Sequence, residues 1–575
     1  MTDRTDVARV LGQIAAFLEL KGENPFRVRA YQAAARAIAD FPHDLEEARR
    51  SGALAETKGI GPATLEIIED VLDTGHSRVL EDLRDEIPPG LAEMLQISGL
   101  GVQKVRQMHE HLGIDTLAEL EEAARDGRLA GLPRFGAKTA ENILKGLAFL
   151  RQTAEHRLYH HARDEARELA RVLAALEGVR RVEVVGSLRR HLELIRDLDF
   201  VIELNARIET LYDRLGRAPG VGEFVHRQER SVTLRFTSGT VADIYFATPG
   251  DFGFAMVRAT GSLEHVAQLR ERAGAVGLAW TDAGLMNGSD LLATPDEAAV
   301  YAALGLQWIP PELREATGEV EAAATQRLPD LITLEDLRGF LHCHTNYSDG
   351  TSTVEDWAGA ARDARYEYVG VTDHSQAAPY AGGLGPEDID RQHAEIDAVN
   401  ARYPEVRMLK GVEADILRDG RLDYDPPLRQ RFDFIIASVH ARFGLDREAM
   451  TERILTAMDD PTMAILGHPT GRLLLSRDPF PMDLDRVFAK AADRGIAIEI
   501  NADPQRLDLE WRSVRRATEA GVTISIGADA HGTSGMANME IGVGIARKGW
   551  LTRDALLNAR PLDAFLRFAR RRRTD

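Results

Sequence analysis

The spacing of apolar and polar positions changes twice along this chain of 575 residues. From the start to about residue 150, apolar residues recur every three or four positions between short glycine turns, which predicts amphipathic helices and no strands. From about 180 to 310, β-branched runs alternate with helical stretches, which predicts a mixed α/β domain. After the connector WIPPELREATGEVEAAATQRLPD, seven apolar runs alternate with helix-length segments. That pattern predicts a parallel sheet or barrel.

Length and composition limit the class of protein. A chain this long exceeds one ordinary core, so we expect roughly three to five compact units. With one cysteine, Cys343, an internal disulfide framework is excluded. The polar start and the lack of a bilayer-length apolar run predict a soluble cytoplasmic protein. The formal net charge of -20 argues against general attraction to nucleic acid, so any contact with DNA must be local.

Two segments near the start of the chain share one design. TKGIGPATLEIIEDVLDTG and ISGLGVQKVRQMHEHLGI each end a helix, turn at Gly-x-Gly and begin a second helix, and LPRFGAKTAENIL is a weaker third copy. The glycines at Gly59, Gly61, Gly99 and Gly101 allow a tight turn whose N–H groups, at a helix start, can bind phosphate. One copy is equally well an ordinary helical hairpin. Two copies favour sequence-independent contact with a nucleic acid backbone.

The run RDLDFVIEL carries two carboxylates on one face of a predicted strand. Because side chains alternate along a strand, Asp197 and Asp199 lie on one face, and Leu198 and Phe200 enter the core. An isolated D-x-D is more often a surface pair. Here the predicted hairpin SVTLRFTSGTVADIYFA places Asp243 on its second strand. If that strand lies beside the first, three carboxylates converge where two divalent cations stabilise a phosphoryl displacement.

Just upstream, VEVVGSLRR combines a strand, a glycine turn, a hydroxyl group and two arginines. The turn at Gly186 and Ser187 offers hydrogen-bond donors, and Arg189 or Arg190 can bind phosphate oxygens with its guanidinium fork. The combination predicts a phosphate-binding turn.

These motifs resemble those of the family X DNA polymerases, the nucleotidyltransferase group that includes DNA polymerase beta. The similarity extends to NPFRVRAYQAAARAIAD, to both glycine turns, which look like helix-hairpin-helix motifs, and to ATGS at residues 259–262. The resemblance implies that Asp197 and Asp199 hold two Mg or Mn ions, and that Asp243 holds the catalytic one near the primer 3'-hydroxyl. It also implies that the GS turn and Arg190 bind the nucleotide triphosphate.

Several positions depart from the family pattern around the nucleotide. Arg196 stands where glycine usually precedes D-x-D, and His191 replaces the glycine usual after the two arginines. Both changes predict altered nucleotide binding. Arg258 and Ala259 replace the aromatic pair that usually lies along the incoming sugar, which predicts relaxed discrimination against a 2'-hydroxyl.

The lyase-like region also departs from the pattern. The lysine that forms a Schiff base in such enzymes falls on Ile67, and a neighbouring lysine falls on Ala63. Isoleucine has no amine to attack a sugar aldehyde. An amine-dependent lyase step by the usual nucleophile is therefore not expected.

Six of the seven C-terminal apolar runs end in, or just before, a histidine or a carboxylate. Strands of a β/α barrel carry their chemistry at their C-terminal ends, so these groups would meet at one rim. A single such histidine is usually structural, but nine groups indicate a cluster of two or three metal ions, with Zn, Mn or Fe favoured by mixed imidazole and carboxylate. Such a cluster supports phosphoester hydrolysis. The nine groups are His342, His344, Asp349, His374, Glu413, His440, His468, Asp529 and His531.

This last zone closely resembles the polymerase and histidinol phosphatase (PHP) domain, a distorted seven-stranded barrel with a three-metal centre. In bacterial polymerases of family X, this domain follows the polymerase core and is associated with manganese-dependent 3'-to-5' exonuclease action and trimming of damaged 3' ends. The two resemblances imply a multidomain α+β and α/β protein. Its expected parts are a lyase-like helical domain (1–85), fingers (86–152), a nucleotidyltransferase palm (153–250), a thumb (251–315), a linker (316–336) and a PHP (β/α)7 barrel (337–575).

We interpret the chain as a monomeric DNA repair polymerase. It would use deoxynucleoside triphosphates on gapped or primer-template DNA and carry a metal-dependent 3'-to-5' exonuclease in the same chain. Two alternatives stay open. The chain is chiefly a nuclease with a weakened polymerase core as a DNA-binding platform, which Arg196 and Arg258 favour. Or the barrel hydrolyses a small phosphate monoester, against which the tandem glycine turns argue.

Overall fold

The computed structural model describes residues 4–39, 41, 45–74, 76–95, 97, 100–133, 135–153, 156–204, 208–218, 220–237 and 239–572. The chain divides into two compact units. The first comprises Met1–Glu155 and Leu475–Arg477, and the second comprises His156–Leu474 and Asp478–Asp575. Within the described residues, no helix has the length and apolar character needed to span a membrane.

The described part of the first unit is helical and contains no strand, as the apolar spacing predicts. Side chains from several helices, including Leu11, Ile68, Val71 and Met108, share one apolar core. The helices are α1 (Arg4–Leu20), α2 (Pro25–Ala39), α3 (Leu45–Ser51), α4 (Ala53–Glu56), α5 (Pro62–Thr74), α6 (Arg78–Glu86), α7 (Pro89–Met94), α8 (Val102–Leu112), α9 (Leu117–Arg125) and α10 (Ala137–Thr153).

The second unit begins with a palm-like region built on a five-stranded mixed sheet of order β2-β4-β7-β6-β5. Strands β4 and β7 are parallel neighbours, and β6 and β7 form an antiparallel hairpin. Strands β1 and β3 form a separate two-stranded antiparallel sheet in the same part of the chain. The elements are α11 (Tyr159–Ala174), α12 (Gly186–Arg189), α13 (Ile208–Leu215), β1 (Arg157–Leu158), β2 (Val179–Val184), β3 (Leu194–Ile195), β4 (Leu198–Leu204), β5 (Val221–Arg227), β6 (Ser231–Phe236) and β7 (Val241–Ala247).

A thumb-like region follows, with a small antiparallel sheet of order β10-β9-β8 and its own apolar core. Residues such as Val257, Leu269 and Tyr301 form that core. The elements are α14 (Phe252–Thr260), α15 (Leu263–Ala275), α16 (Glu297–Ala303), α17 (Glu319–Ala324), β8 (Ala279–Thr281), β9 (Gly284–Asn287) and β10 (Asp290–Leu291).

The C-terminal region is a closed barrel of seven parallel strands in sequence order, so the predicted fold class is confirmed. Its strands are almost wholly buried, as expected for parallel strands covered by helices. The strands are β11 (Gly339–Cys343), β12 (Tyr368–Val371), β13 (Arg407–Asp415), β14 (Phe434–Ser438), β15 (Met463–Leu466), β16 (Ala497–Asn501) and β17 (Ile524–Ala530). The helices are α18 (Val354–Asp363), α19 (Pro386–Arg402), α20 (Pro426–Arg429), α21 (Arg447–Ala457), α22 (Leu484–Arg494), α23 (Trp511–Glu519), α24 (Asn538–Lys548) and α25 (Leu562–Arg570).

Candidate active sites

The palm-like sheet brings three carboxylates together. Asp199 on β4 is the direct register partner of Asp243 on the parallel strand β7. Asp197 precedes β4 and points to the same face, because Leu198 between them is fully buried. All three carboxylates line a cavity of about 750 Å³. The hairpin therefore lies beside the first strand, and the expected convergence occurs.

The glycine turn lies directly against these carboxylates. Gly186 has a φ of +66°, and a methyl group added to it would overlap the carboxylate of Asp199. Only glycine satisfies both the left-handed backbone and the close approach. The hydroxyl oxygen of Ser187 is buried and has no hydrogen-bond partner among the described residues. Since a buried hydroxyl group normally finds a partner, this oxygen is suited to a ligand in the cavity.

Burial and mutual repulsion perturb the carboxylate cluster. Burial, followed by the charges of Asp197 and Asp243, raises the pKa of Asp199 to about 7. Asp243 accepts a hydrogen bond from the hydroxyl group of Thr233 on the neighbouring strand. Three carboxylates at this distance favour the binding of a divalent cation, which neutralises the repulsion that raises the pKa.

The two arginines of the turn make different contacts. Arg189 donates two hydrogen bonds to the carboxylate of Glu297, at 2.7 and 2.9 Å, and lies outside the cavity. Arg190 donates to Glu315 at 2.8 Å and to the carbonyl oxygen of Thr260 at 2.7 Å, and its side chain lines the cavity. Of the two, Arg190 is the one placed to meet a phosphate.

Three of the unusual residues, Arg196, Arg258 and Ala259, line the same cavity. Arg196 is largely exposed, and its guanidinium group lies 3.3 Å from a carboxylate oxygen of Asp197. Arg258 lies 3.4 Å from Asp282, and with Ala259 and Tyr245 it also lines a second cavity of about 470 Å³. The missing aromatic pair therefore leaves open space beside the carboxylates.

His191 lies elsewhere. Its backbone has a φ of +54°, its ring stacks on Tyr159 with centroids 5.0 Å apart, and it packs so tightly on Gly544 of α24 that no side chain fits there. It does not line the cavity. The expected effect of this replacement on nucleotide binding thus has no direct contact to support it, and the residue instead packs the palm-like region against the barrel.

The glycine turns of the first unit differ in detail. Gly59 has a φ of +102°, as a tight turn requires, and the N–H group of Gly61 donates to the hydroxyl group of Thr64 at 2.9 Å. Gly101 directly precedes α8 and has no side-chain cap. Gly99 lies outside the described residues. The lyase position Ile67 is buried in the helical core.

At the barrel, the ends of the strands bring the nine predicted groups into contact. Glu413 is central: its carboxylate oxygens lie 2.8 Å from His468 Nε2, 3.0 Å from His374 Nδ1 and 3.2 Å from His440 Nε2. Eight of the nine fall into three sets whose ligand atoms lie within 4.8 Å of one another in each set. These sets are His344, Asp349, His374 and His531; His342, His344 and Asp529; and His374, Glu413 and His440.

The donor atoms fit a metal cluster. Several imidazole nitrogens, among them His342 Nε2, His344 Nδ1 and His468 Nδ1, are buried without a hydrogen-bond partner in the described chain. Each buried polar atom without a hydrogen-bond partner lowers the stability of the fold by about 1–3 kcal/mol. Several such atoms in one place therefore indicate a site that binds a ligand. Divalent cations at the three sets would satisfy them, and mixed imidazole and carboxylate ligands suit Zn, Mn or Fe.

The electrostatics of the barrel centre are strongly coupled. Burial opposes the charged form of His374, but the carboxylates of Glu413 and Asp349 raise its pKa to about 11. Burial and the neighbouring His531 and His374 rings lower the pKa of His344 to about 4. The pKa values of these two adjacent imidazoles are therefore shifted in opposite directions, and strongly perturbed pKa values of this kind cluster at functional sites.

Models of four protein domains match the chain. They are a helix-hairpin-helix domain at residues 2–77, a SAM-like helix-hairpin-helix tandem at 91–148, a DNA polymerase beta thumb at 255–315 and a PHP domain at 341–503. The DNA polymerase/3'-5' exonuclease PolX of Bacillus subtilis (strain 168) is 36% identical over 571 residues, which are 98% of this chain and 99% of that protein. The chain belongs to the family X DNA polymerases.

Other relatives match only part of the chain. A probable phosphatase of Thermoanaerobacter sp. (strain X514) is 28% identical over 228 residues, 38% of this family X chain and 88% of the phosphatase. A probable phosphatase of Shewanella sp. (strain ANA-3) is 26% identical over 245 residues, 40% of this chain and 90% of the phosphatase.

In this family X chain, the sixth strand of the barrel also carries a carboxylate that the sequence reasoning missed. Glu499 on β16 is buried, lies 2.6 Å from His342 Nδ1 and accepts a hydrogen bond of 2.7 Å from the backbone N–H of His468. The signal was a lone glutamate within the apolar run IAIEINA. Its position shows that Glu499 orients two of the predicted ligands, as outer-shell carboxylates do.

Arg506 is a second omission. Its guanidinium Nε lies 3.3 Å from Asp529 Oδ2, and it is the cation that offsets the buried carboxylates of Asp503 and Asp529. Because it follows the strand end by several residues in a loop, no periodic pattern marks it.

Proposed function

We propose that this chain is a DNA repair polymerase that adds deoxynucleotides to a primer 3' end in its palm and removes nucleotides from 3' ends in its barrel. The observation that carries the proposal is the presence of two separate, fully assembled clusters in one family X chain. One is the carboxylate triad beside the glycine turn, and the other is the nine-residue histidine and carboxylate centre.

In the palm, the chain supplies ligands and an anion-binding turn. Asp197, Asp199 and Asp243 are the candidate ligands of two Mg or Mn ions, which when bound stabilise charge on the transferred phosphoryl group. Ser187, with its free buried hydroxyl group, and Arg190 face the cavity where the triphosphate would lie. Arg190 is held in place by Glu315, so its guanidinium group is oriented before nucleotide binds.

In the barrel, the nine predicted groups are the candidate ligands of about three Mn, Zn or Fe ions. Such ions, when bound, make a hydroxide nucleophile available at neutral pH. The protein's own contribution is the orientation of the imidazoles. Glu499 holds His342, and Glu413 lies between His374, His440 and His468.

The proposed substrates are gapped or primer-template DNA and deoxynucleoside triphosphates, handled by a cytoplasmic monomer. Support for the DNA comes from the helix-hairpin-helix matches and from the turns at Gly59, Gly61, Gly99 and Gly101. Phosphate contacts release counterions, so DNA affinity should fall steeply between low and moderate salt. An affinity that is unchanged over that range would argue against backbone binding.

A second candidate function has one observation in its favour. The exposed guanidinium group of Arg196 lies 3.3 Å from Asp197, where it competes with a cation for the carboxylate. A weakened polymerase core that serves as a DNA platform for the nuclease would follow from this contact. The two candidates differ in whether any nucleotide is added.

The test is a gel assay on a 5'-labelled primer annealed to a gapped template with manganese, with and without deoxynucleotides. Wild type is compared with Asp199→Asn and His344→Ala, each serving as the control for the other site. Extension lost only in the first variant and shortening lost only in the second supports two independent sites. Shortening without extension under any nucleotide supply supports the platform. Hydrolysis of a simple phosphate ester that primer-template does not inhibit would support a small-molecule phosphatase.

A further inference from the structure

One large aromatic side chain stands exposed beside the barrel centre. Tyr380 is 71% exposed, and its ring centroid lies 6.5 Å from that of His374, one of the nine candidate ligands. Its hydroxyl group makes no hydrogen bond within the described part of the chain. An exposed tyrosine on its own is ordinary, so its position and its support decide whether it has a role.

The loop that carries Tyr380 is firmly held. Tyr380 is the middle residue of a 3-10 turn, Pro379–Ala381, whose flanking alanines, Ala378 and Ala381, are buried. The N–H of Gly383 donates to the carbonyl oxygen of Ala378, at 3.0 Å, and Gly383 approaches Ser375 too closely to admit a side chain. The turn therefore holds the ring in a defined place, although most of the side chain is exposed.

The same loop is tied to the strand ends that carry the ligands. The N–H of Leu384 donates to the carbonyl oxygen of His374 at 2.9 Å, and the N–H of Ser375 donates to that of Glu413 at 3.0 Å. The N–H of Ala377 donates to the carboxylate of Asp423 at 2.7 Å. The backbone around Tyr380 is thus hydrogen-bonded to the backbone of the strand ends that carry His374 and Glu413.

We propose that Tyr380 is a specificity-determining residue of the barrel site, and that its ring stacks on the base of the 3'-terminal nucleotide whose phosphodiester lies at the histidine and carboxylate centre. The inference rests on the proposed exonuclease function. In a nucleotide the base is one sugar ring away from its phosphate, a separation of the same kind as that between the Tyr380 and His374 rings. Aromatic side chains bind bases of any sequence in this way, because every base has a π face.

The test compares wild type with Tyr380→Ala and Tyr380→Phe on two 5'-labelled single strands with manganese. The first strand ends in a normal nucleotide, and the second ends in a tetrahydrofuran abasic residue. We expect Tyr380→Ala to lower kcat/KM on the first strand by roughly 5- to 150-fold, the equivalent of about 1–3 kcal/mol for one stacked base. Tyr380→Phe keeps the ring and should match wild type. On the abasic strand all three proteins should be equal.

A second measurement does not depend on turnover. A strand with a 3'-terminal 2-aminopurine, joined by a phosphorothioate to slow cleavage, should lose fluorescence on binding wild type and Tyr380→Phe, and should keep it with Tyr380→Ala. Metal content of the variants, measured by elemental analysis, should be the same.

Three outcomes overturn the role of Tyr380. In the first, Tyr380→Ala matches wild type on the normal strand. In the second, it lowers activity equally on both strands. In the third, wild type shortens neither strand, and the proposed exonuclease function fails together with the inference. An active wild type with either of the first two results overturns the inference alone.

Discussion

The ammonium group of Lys548, on α24 of the barrel, donates a hydrogen bond of 3.0 Å to the backbone carbonyl oxygen of Arg190, beside the glycine turn of the palm. Lys548 is fully buried and also pairs with Glu315, which accepts a hydrogen bond from the Arg190 side chain. Burial lowers the pKa of Lys548 to about 8, although Glu315 opposes the shift. A charged group of the barrel thus supports the residue proposed to bind triphosphate.

The first prediction concerns Lys548→Met. The change removes a donor from both Arg190 and Glu315 but leaves these two paired, so we expect a loss of about 1–3 kcal/mol in the free energy of unfolding. Because the Arg190 backbone loses its support, KM for the incoming nucleotide should rise, whereas nucleotide removal at the barrel should be unchanged. Steady-state kinetics of both reactions would measure this.

Lys490→Met is the matched control. Lys490 pairs with Asp459 at 2.8 Å on the surface of the barrel, and exposed pairs contribute about 0–1 kcal/mol. The control should leave the KM for the incoming nucleotide and the rate of nucleotide removal at the barrel unaltered. An unaltered nucleotide KM in Lys548→Met as well would show that the contact is structural only.

The second prediction concerns Gly186→Ala. A methyl group at this position overlaps the Asp199 carboxylate, so it displaces a candidate metal ligand, and a displacement of about 1 Å can cost about 100-fold in rate. We expect primer extension to fall by at least that factor, with 3'-end shortening preserved. Extension and shortening on the same labelled primer give the comparison.

Gly288→Ala separates the clash from backbone strain. Gly288 has a φ of +60°, close to the +66° of Gly186, but no atom lies within 4 Å of the methyl group that would be added. It should lose about 1 kcal/mol of stability from the left-handed backbone and no extension activity. Equal loss of extension in both variants would mean that the position of Asp199 is not what requires glycine.

The barrel centre was predictable from sequence because its residues obey a rule of topology. Parallel strands in a closed barrel end at one rim, so residues as far apart as His344 and His531 meet wherever the strands are correctly identified. The pairing of Asp199 with Asp243 followed in the same way from a hairpin and a strand. The periodicity of the sequence identified the strands, and the topology of the sheet determined which side chains at their ends come into contact.

The residues that were missed obey no such rule. Glu499 lies within a strand that has no histidine at its C-terminal end. His191 contacts Gly544, which lies 353 positions further along the chain in a helix that carries no motif. Lys548 and Glu315 are ordinary charged residues in helical and loop sequence. Their burial arises from the docking of the palm-like region on the barrel, which no local pattern encodes.

The third prediction concerns the pH dependence of stability through Glu297. Despite its burial, hydrogen bonds from Arg189 and Arg314 lower the pKa of Glu297 from 4.5 to about 2. Because the folded pKa is below the unfolded one, the stabilisation is fully present above pH 4.5 and is lost as the pH falls towards 2, and it amounts to roughly 3 kcal/mol. Glu297→Gln should therefore lower the unfolding midpoint at neutral pH.

The difference between wild type and Glu297→Gln should be constant above pH 4.5 and shrink below it, as measured by unfolding from neutral pH downwards. Glu321→Gln, at an exposed position on α17, should show no such difference. A stability difference between the two proteins that grows as the pH falls would contradict this prediction, because it would require the pKa of Glu297 to be higher in the folded state than in the unfolded state.

The fourth prediction concerns Glu499→Gln. The variant keeps the size of the side chain but removes the charge that faces His342 Nδ1 at 2.6 Å. Loss of an outer-shell carboxylate typically lowers metal affinity about 10- to 100-fold. We expect reduced metal content after dialysis against a chelator, with 3'-end shortening reduced in proportion and restored by excess metal.

Primer extension separates this effect from general damage to the fold. The palm carboxylates make no contact with Glu499, so Glu499→Gln should extend primers as wild type does, and Glu405→Gln, at an exposed position before β13, should change neither reaction. If metal content is unchanged while shortening is lost, Glu499 acts on the reaction rather than on metal binding. If extension and shortening fall together, the substitution has destabilised the second unit as a whole. The charge of Glu499 then contributes to folding rather than to metal binding.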